Sequence, residues 1–586
     1  MHKIALLIGF LAAATAPTCS AGEPMNVVLV LIDDLGHYGV TAYGADRLSE
    51  QSGAFTNVEF ATPRIDALAA EGVRCTDSHA YPLCEATRVA LMTGQYNSRN
   101  FVRPKALHAS QITIADLFQR AGYATGVFGK WKQSRGTPET PGKDYLFELG
   151  WDEFCCFDVV DQGRRYLNPD LVINGRVVNY KKVGGVDPAT GRRWYGPDIC
   201  NRHALDFIDR HKSKPFFLYY PMILVHDEHT PTPDTQPASA FDRFPDTPCY
   251  QKACPGDDRR YFPDMVAYMD KLIGRVVDRL ETLGLRDNTL IVVMGDNGTK
   301  EPFRHHLPGG SVYPGGKGDT KDNGTHVPLV LAGPGVSGKR GRVYEGLVDV
   351  VDVLPTLCQA AGVAIPSALR VDGVGFWSQA TKGGPPHREH IYTWYNANNR
   401  WSDTAGVLRY AFNKQFKRYA GNARFPEGRF FDVHSDPLEK AGEREVTVSW
   451  GHRRRSGIPA DSMNAEQRTA YRSLGEVLAA HPHVPVESVR IELSHNRIRV
   501  GEQTSLSWSV VPAYATRCNV ILESSDPAVA SVSKFGDIVG RSPGTTTVRA
   551  YSWDGADPQA AGKEPAFKRG AIQTSVTIRV TPAASG

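Results

Sequence analysis

The sequence predicts an α/β fold with a mostly parallel sheet flanked by helices, followed by a small antiparallel layer and an all-β sandwich. Residues 25–380 alternate between short β-branched runs and amphipathic stretches, as strands joined by crossover helices do. The run at 27–32 is continuously apolar, as expected of a strand covered on both faces. Beyond residue 485, apolar and polar residues alternate, which is typical of a β-sandwich.

Apolar runs and amphipathic stretches locate the individual elements. Strands of the α/β region are predicted at 27–32, 125–128, 216–220 and 290–294, and helices at 65–71 and 114–121. The stretches 409–413 and 429–433 suggest the antiparallel layer, and 469–480 a helix that closes it. Strands of the sandwich are expected at 489–494, 506–510 and 575–580.

These patterns divide the chain into four predicted parts. Residues 1–21 have Lys3, an apolar run at 4–14 and small residues up to Ala21, the layout of a signal peptide cleaved near Ala21. The other parts are an α/β domain at 25–394, its C-terminal subdomain at 395–480 and an all-β domain at 486–582. The signal peptide predicts a periplasmic or secreted protein. The apolar run is short for a membrane anchor, and lipid attachment at Cys19 is a minor alternative.

Composition narrows the class of protein. A net charge of +4 over 586 residues argues against a dedicated nucleic-acid binder, and past the signal peptide no segment is long and apolar enough to cross a bilayer. Ten cysteines in an exported chain permit disulfides. Cys249 and Cys254 flank a short loop, and Cys155 and Cys156 could pair with distant partners, although the sequence does not assign the connectivity.

Polar side chains follow two of the predicted strands. Asp33 and Asp34 come directly after the strand at 27–32, and Asp296 and Asn297 follow closely on the strand at 290–294. Both pairs are expected at the carboxyl edge of the sheet, where ligands bind in such folds. Three carboxylates and an amide oxygen there would form a hard-oxygen cage for Ca²⁺ or Mg²⁺. The alternative for each pair is a turn that caps the next helix.

The segment from Cys84 to Gly94 carries a cysteine four residues before Arg88. If it is helical, both side chains share one face, and Cys84 lies at the helix N-terminus, where anions are attracted. Three further residues end or follow predicted strands or occupy a glycine-rich loop: Lys130, His226 and Lys317. Each of these alone would more often be a solvated surface residue.

Ordered motifs give these residues a common context. They lie at 26–36, 62–72, 84–94, 122–131, 215–226, 295–298, 315–328 and 431–437. Over residues 26–443 the chain resembles a type I sulfatase of the alkaline-phosphatase-like superfamily. From residue 489 it separately resembles a bacterial Ig-like group 2 domain, notably at 523–532 and 542–545.

The resemblance implies a role for each residue. A maturation enzyme would oxidise Cys84 to formylglycine, whose hydrated aldehyde attacks sulfur beside a Ca²⁺ ion, with Mg²⁺ possible. Arg88 would hold the modified side chain, Lys130 and Lys317 would bind the sulfate oxygens, and His226 would protonate or orient the leaving alcohol. The metal ligands would be these residues: Asp33, Asp34, Asp296, Asn297 and the modified Cys84.

The chain departs from the family pattern at five positions. Ala86 stands where proline is usual, and Thr87 where serine is commoner. Lys132 replaces a histidine, and could add positive charge or, with a strongly lowered pKa, act as a base. Asp322 and His326 replace a glutamate and an arginine. None of these changes removes a metal ligand or the nucleophile.

Three functions are compatible with these residues. The first is an exported metal-dependent sulfatase that acts on a sulfate ester, with a carbohydrate as the expected substrate. The second is a phosphodiester or phosphonate hydrolase on the same fold, and the third is a catalytically silent glycan-binding protein. The basic run Arg453-Arg454-Arg455 could contact a polyanionic glycan, with a solvated loop as the alternative. Specificity is expected from loops at 44–58, 133–144, 231–258 and 395–400.

Overall fold

The computed structural model describes residues 24–583 except 102–105, 134–142, 161–162, 246–255, 337–340, 397–406, 423, 448–452 and 553–571. The predicted signal peptide and the Cys249–Cys254 loop lie outside the described residues. Across the described part of the chain, no helix is both long and apolar enough to cross a membrane.

Among the residues described, fourteen strands and ten helices form the α/β region. The strands are β1 (Asn26–Ile32), β2 (Arg47–Glu50), β3 (Val58–Glu59), β4 (Val73–His79), β5 (Ala124–Lys130), β6 (Glu153–Phe157), β7 (Asp170–Ile173), β8 (Arg176–Asn179), β9 (Phe216–Pro221), β10 (Thr289–Gly295), β11 (Phe303–His306), β12 (Val312–Pro314), β13 (Leu329–Ala332) and β14 (Arg342–Asp349). The helices are α1 (Pro63–Glu71), α2 (Cys84–Thr93), α3 (Asn97–Asn100), α4 (Ile114–Arg120), α5 (Gly196–His211), α6 (Ala238–Arg243), α7 (Phe262–Thr282), α8 (Asp322–Thr325), α9 (Val353–Ala361) and α10 (Trp377–Lys382).

Ten of these strands form one mixed sheet in the order β14-β4-β13-β10-β1-β9-β5-β6-β7-β8. The run β10-β1-β9-β5-β6 is parallel throughout, while β13, β7 and β8 pair antiparallel with their neighbours. All four predicted strands lie in this parallel run, which confirms the predicted fold class. The strands β2, β3, β11 and β12 form a separate sheet.

The strand β1 shows why the parallel core is continuously apolar. Val27, Leu29 and Leu31 belong to the hydrophobic core on one face of the sheet. The intervening Val28, Val30 and Ile32 belong to the core on the other face. Because successive side chains of a strand point to opposite faces, a sheet covered on both sides needs apolar residues at every position.

The second part of the chain is antiparallel. Its elements are β15 (Ile391–Asn396), β16 (Val407–Phe412), β17 (Phe416–Tyr419), β18 (Arg429–Asp432), β19 (Glu445–Thr447), β20 (Arg453–Arg455) and α11 (Ala465–Ala479). The order β15-β16-β17-β18 forms a sheet, and Arg418 of β17 stacks over the ring of Tyr471 in α11 at 3.6 Å. The predicted layer and its closing helix are therefore present.

The C-terminal strands form two four-stranded sheets around their own core. They are β21 (Ser488–Leu493), β22 (Arg497–Arg499), β23 (Gln503–Val511), β24 (Val520–Ser524), β25 (Ala530–Val532), β26 (Asp537–Gly540), β27 (Gly544–Ser552) and β28 (Gln573–Thr581). The three strands predicted here lie in β21, β23 and β28. The boundaries of the predicted domains remain a prediction.

The C-terminal sandwich docks on the α/β region through polar contacts. Lys534, in the turn between β25 and β26, places its ammonium 2.7 Å from the Asp116 carboxylate and 2.7 Å from the carbonyl oxygen of Glu148. Arg99 in α3 donates to the carbonyl oxygen of Thr516 at 2.9 Å. The sandwich therefore packs against helices α3 and α4.

The described cysteines correct one expectation. Cys155 and Cys156 are both buried, and neither forms a disulfide with another described cysteine. They are neighbours on β6, so their side chains point to opposite faces of the sheet and enter different hydrophobic cores. Both cysteines therefore serve as buried packing residues of the sheet rather than as disulfide partners.

Candidate active site

The two strand-end pairs meet at one edge of the sheet. The parallel register of β1 and β10 places Ile32 opposite Gly295, so Asp33 and Asp296 leave the sheet side by side. The backbone N–H of Asp34 donates to Asp296 Oδ1 at 3.0 Å. Asn297 Nδ2 donates to Asp34 Oδ1 at 3.0 Å, and all four side chains are buried. The structure therefore brings together every predicted ligand of the two pairs.

Helix α2 carries Cys84 to the same place. Cys84 is its first residue, and the helix ends at Gly94 in the left-handed conformation, with φ +63°. Atoms of Asp33, Cys84 and Asp296 lie within 4.8 Å of one another. Arg88, one turn further on, donates from Nη2 to Asp296 Oδ2 at 2.8 Å. The predicted shared face of Cys84 and Arg88 therefore points into the carboxylate cluster.

Two lysines complete the cluster. Lys130, the last residue of β5, places Nζ 2.7 and 2.6 Å from the two carboxylate oxygens of Asp33. Lys317 is hydrogen-bonded to Asp34 Oδ2 and lies 3.0 Å from Nε2 of His226. Its loop needs glycine, because a Cβ on Gly315 would lie 2.1 Å from the carbonyl oxygen of Lys300. Both lysines are ion-pair partners rather than solvated surface residues, with Lys130 fully buried and Lys317 partly buried.

His226 follows β9 and faces the cluster with Nε2, which is 3.6 Å from Asp34 Oδ2. Its Nδ1 lies 2.8 Å from Nη1 of Arg165 and 2.5 Å from Oδ1 of Asp227. Burial holds the pKa of His226 well below its usual range, against the charge of Asp34, which acts to raise it. The sequence reasoning missed Arg165 and Asp227. Asp227 could have been found because it directly follows His226, whereas the position of Arg165 has no sequence signal.

Charge sets the protonation of the acidic groups. Burial alone would raise the pKa of Asp33, but the charges of Lys130 and Arg88 outweigh it and hold that pKa below its usual value. Asp296 differs, since burial and then the charge of Asp33 raise its pKa to about 7. Three carboxylates therefore share this buried site with three cationic side chains.

The Cys84 thiol itself is not activated. Its Sγ donates to Glu85 Oε2 at 3.2 Å, and burial, with the nearby Glu85 charge, raises its pKa to about 11. The thiolate is the nucleophilic form of cysteine, so this environment disfavours direct attack by sulfur. Glu85, the hydrogen-bond partner of Cys84, is a further residue that the sequence reasoning did not identify.

Lys132 lies beside the nucleophile position rather than on the surface. Burial alone would lower its pKa, but the charges of Cys84, Glu85 and Asp158 outweigh it and raise the pKa above its usual value. A general base would need the opposite shift. Of the two predicted roles, this environment supports that of a fixed positive charge.

Asp322 and His326, two further departures from the family pattern, support the loop that carries Lys317. Asp322 and His326 form an ion pair, Nδ1 to Oδ2 at 3.4 Å, and the His326 ring stacks on His37 at 3.8 Å. His326 Nε2 also lies 2.8 Å from the carbonyl oxygen of Thr76. These contacts link the segment after Lys317 to the segment after Asp34 and to β4. Asp322 and His326 therefore position the site.

The donor set fits a hard divalent cation. Carboxylate oxygens of Asp33, Asp34 and Asp296 converge, and Asn297 Oδ1 is buried with no hydrogen-bond partner among the described residues. An orphaned buried acceptor next to carboxylates is what an oxygen-liganded cation satisfies. Ca²⁺ and Mg²⁺ both prefer such ligands, whereas the thiol sulfur of Cys84 is a soft donor.

Comparison with known proteins identifies the class. The model of the Sulfatase family matches residues 25–363, and that of the bacterial Ig-like domain (group 2) matches residues 485–561. The chain belongs to the sulfatase family and is a sulfuric ester hydrolase, which confirms the resemblance drawn from its motifs.

Individual relatives agree with this assignment. The N-acetylgalactosamine-6-O-sulfatase of Bacteroides thetaiotaomicron is 26% identical over 510 residues, covering 75% of this chain and 93% of the relative. The crystal structure of Ps i-CgsB in complex with k-i-k-neocarrahexaose has a TM-score of 0.57 at 24% identity, covering 78% of this chain and 93% of that one. The phosphonate monoester hydrolase of Agrobacterium radiobacter has a TM-score of 0.53 at 20% identity, covering 78% and 95%. The two structures show the shared fold alone.

Proposed function

We propose that this protein is an exported, metal-dependent sulfatase that hydrolyses a sulfate ester of a carbohydrate through a formylglycine made from Cys84. The convergence of Cys84, Asp33 and Asp296 within 4.8 Å carries the proposal. The carbohydrate class is supported by the relative named as an N-acetylgalactosamine-6-O-sulfatase and by the neighbour solved with a neocarrahexaose. The predicted signal peptide at 1–21 supports export.

The chain's cationic side chains bind and orient the sulfate group. Lys130 pairs with Asp33 and is fully buried, Lys317 pairs with Asp34 and is partly buried, and their ammonium groups are donors suited to sulfate oxygens. As negative charge grows on these oxygens in the transition state, the two fixed cations stabilise it. Arg88 holds the ends of β10 and β5 in place and offsets the charge of Asp296.

His226 is placed to protonate or orient the leaving alcohol. Its Nε2 is the ring nitrogen that faces Lys317 and Asp34, so it is placed to act on an oxygen held at that position. Arg165 and Asp227 contact the opposite nitrogen, Nδ1, and restrain the orientation of the ring.

The residues implied for the metal are Asp33, Asp34, Asp296 and Asn297. When bound there, a divalent cation supplies positive charge that polarises the sulfate and lowers the pKa of the attacking hydroxyl. Formylglycine at position 84 supplies that hydroxyl from its hydrated aldehyde. The raised pKa of the Cys84 thiol supports conversion, since an unmodified thiol is poorly activated here.

The rival reaction is hydrolysis of a phosphodiester or phosphonate. The phosphonate monoester hydrolase shares the fold of this protein, so the fold alone does not distinguish the two reactions. Matured, metal-loaded protein should be assayed in parallel on 4-nitrophenyl sulfate, bis(4-nitrophenyl) phosphate and a phenyl phosphonate ester. We expect kcat/KM for the sulfate to be about tenfold higher or more. A clear preference for a phosphorus ester would favour the rival, and no turnover of any ester would favour the glycan-binding alternative.

A further inference from the structure

The basic run Arg453-Arg454-Arg455 is a strand, not a solvated loop. In β20 the three side chains alternate, so Arg453 is exposed, Arg455 is half-buried and Arg454 is only 4% exposed. Arg453 and Arg455 both pair with Glu445, at 3.3 and 3.0 Å. Among the described residues, Arg454 has no hydrogen-bond or ion-pair partner for its guanidinium, and its buried Nε is one of the orphaned donors.

Two further cationic side chains lie around Tyr419, the tyrosine on which the charge of Arg454 also acts. Arg429 stacks over the ring of Tyr419 at 3.5 Å, and Lys417 Nζ lies 5.0 Å from the same ring. Both cations share the carboxylate of Glu439, at 3.3 and 2.9 Å. Arg429 Nη2 is also buried without a partner among the residues described. Arg454 lies near enough to Tyr419 to act on the pKa of its hydroxyl.

This group of cations lies against the loop that carries Lys317. Lys321 Nζ donates to the carbonyl oxygen of Arg453 at 2.8 Å, which fixes β20 on that loop. The hydroxyl of Tyr419 lies 2.9 Å from that of Thr320, and Lys417 also contacts the Thr320 carbonyl oxygen. Thr320 and Lys321 follow Lys317 by three and four residues.

Tyr395 lies in the electrostatic range of Arg454 and of Glu85, the neighbour of Cys84. Tyr395 is 3% exposed, and the charges of both Glu85 and Arg454 act on its hydroxyl. Glu85 in turn accepts the hydrogen bond from Cys84 Sγ at 3.2 Å. Tyr395 is therefore within electrostatic range of both Arg454 and Glu85.

An unpaired buried guanidinium calls for an explanation. Arginine remains charged at any physiological pH, and buried charges in proteins are normally paired because their desolvation is costly. Its planar fork matches the two oxygens of a carboxylate or sulfate. Arg454 and Arg429 each have a buried guanidinium nitrogen without a hydrogen-bond partner among the described residues. Glu439 is the carboxylate that Arg429 shares with Lys417. Together these features are those of a site that binds an anion.

We propose that Arg454, assisted by Arg429, binds an anionic group of the substrate other than the sulfate that is cleaved. The inference rests on the proposed function, and assigns to the enzyme a glycan that carries a second sulfate or a uronate carboxylate near the scissile ester. The antiparallel layer thereby contributes a specificity-determining residue to the active site of the α/β region.

The test compares Arg454→Met with wild type and with Arg453→Met, the matched control from the exposed side of the same strand. The probes are 4-nitrophenyl sulfate and three disaccharides with one sulfate, with two sulfates, or with one sulfate and one uronate carboxylate. Each disaccharide is measured as a substrate or as a competitor of 4-nitrophenyl sulfate, so a KM or Ki is obtained whether or not it is cleaved.

We expect Arg454→Met to raise KM or Ki by about 10- to 100-fold for one of the two doubly anionic probes. The singly sulfated disaccharide and 4-nitrophenyl sulfate should change by less than about twofold, as should every probe with Arg453→Met. Whether the sulfate or the carboxylate probe responds identifies the second anion. Arg454→Lys should restore part of the loss.

Three results would overturn the inference: equal KM or Ki in wild type and Arg454→Met, no binding of either doubly anionic probe by wild type, or an equal loss on all probes. The last result, with a lowered melting temperature, would make Arg454 a structural residue. Failure of wild type to cleave 4-nitrophenyl sulfate would instead count against the proposed function, so the two failures are distinct.

Discussion

The guanidinium of Arg88 donates to a single carboxylate oxygen of Asp296 from two nitrogens, Nη2 at 2.8 Å and Nε at 3.2 Å, with both side chains fully buried. Nη1 of the same group donates to the carbonyl oxygen of Lys130 at 2.8 Å. Arg88 thus ties together helix α2, the end of β10 and the end of β5. These elements carry Cys84, the Asp296-Asn297 pair and Lys130.

Replacing Arg88 should therefore damage both stability and activity. Arg88→Met leaves Asp296 buried without its cation, and breaking such a pair typically costs about 3–5 kcal/mol. We expect a loss of this size in the free energy of unfolding, measured by urea denaturation, with little residual sulfatase activity. Arg47→Met, which breaks the exposed pair with Glu59, is the control and should cost less than about 1 kcal/mol. A stable, fully active Arg88→Met protein would contradict this role.

Removal of the metal should abolish turnover. In the proposed mechanism a single divalent cation activates the attacking hydroxyl, and its ligands are Asp33, Asp34, Asp296 and Asn297. Exhaustive chelation is therefore expected to reduce kcat by about a thousandfold or more. Activity should return on adding Ca²⁺ or Mg²⁺, and elemental analysis should find about one equivalent per chain. Asp296→Asn should lower the affinity for the metal. Full activity in protein shown to be metal-free would exclude a metal-dependent mechanism.

Lys132 offers a test of fixed charge against base catalysis. Since its pKa is raised, Lys132→Met removes a cation beside position 84, and we expect kcat to fall about 10- to 100-fold. Lys132→His, which restores the residue usual in the family, should retain more activity than Lys132→Met. The comparison is made by steady-state kinetics on 4-nitrophenyl sulfate. A Lys132→Met protein with wild-type kcat would show that the charge is not used.

Docking of the Ig-like domain should contribute to stability. The Lys534 ammonium contacts Asp116 and the carbonyl oxygens of Gln111 and Glu148. Lys534→Met leaves these acceptors without their donor, and we expect a loss of about 1–3 kcal/mol in the free energy of unfolding. Arg490→Met, at an exposed position of the same domain, should change it by less than about 0.5 kcal/mol. Equal stability of the two variants would mean that the domain only spaces or attaches the enzyme.

The sequence alone predicted the strands and strand-end residues, because their signal lies in short stretches of consecutive residues. The strands β1, β5, β9 and β10 are continuously apolar because both faces of the sheet are covered, and the residues at their ends are drawn to one edge by parallel pairing. The antiparallel β13 within that sheet was not predicted, because strand order depends on long-range pairing. Arg165, Glu85 and the buried state of Arg454 were also missed. Arg165 and Arg454 act on residues far away along the chain, and such long-range contacts leave no periodic signal. Glu85 directly follows Cys84, so its contact with the thiol is local and could have been predicted.

The chemical state of position 84 tests the account most directly. Mass spectrometry of the peptide containing Cys84, from active protein made in the native source or with a maturation enzyme, should show formylglycine. Cys75, a buried and unpaired cysteine of β4, provides an internal control in the same sample and should remain a thiol. Turnover should rise in proportion to the converted fraction. Fully active protein whose Cys84 is still a thiol would contradict the account.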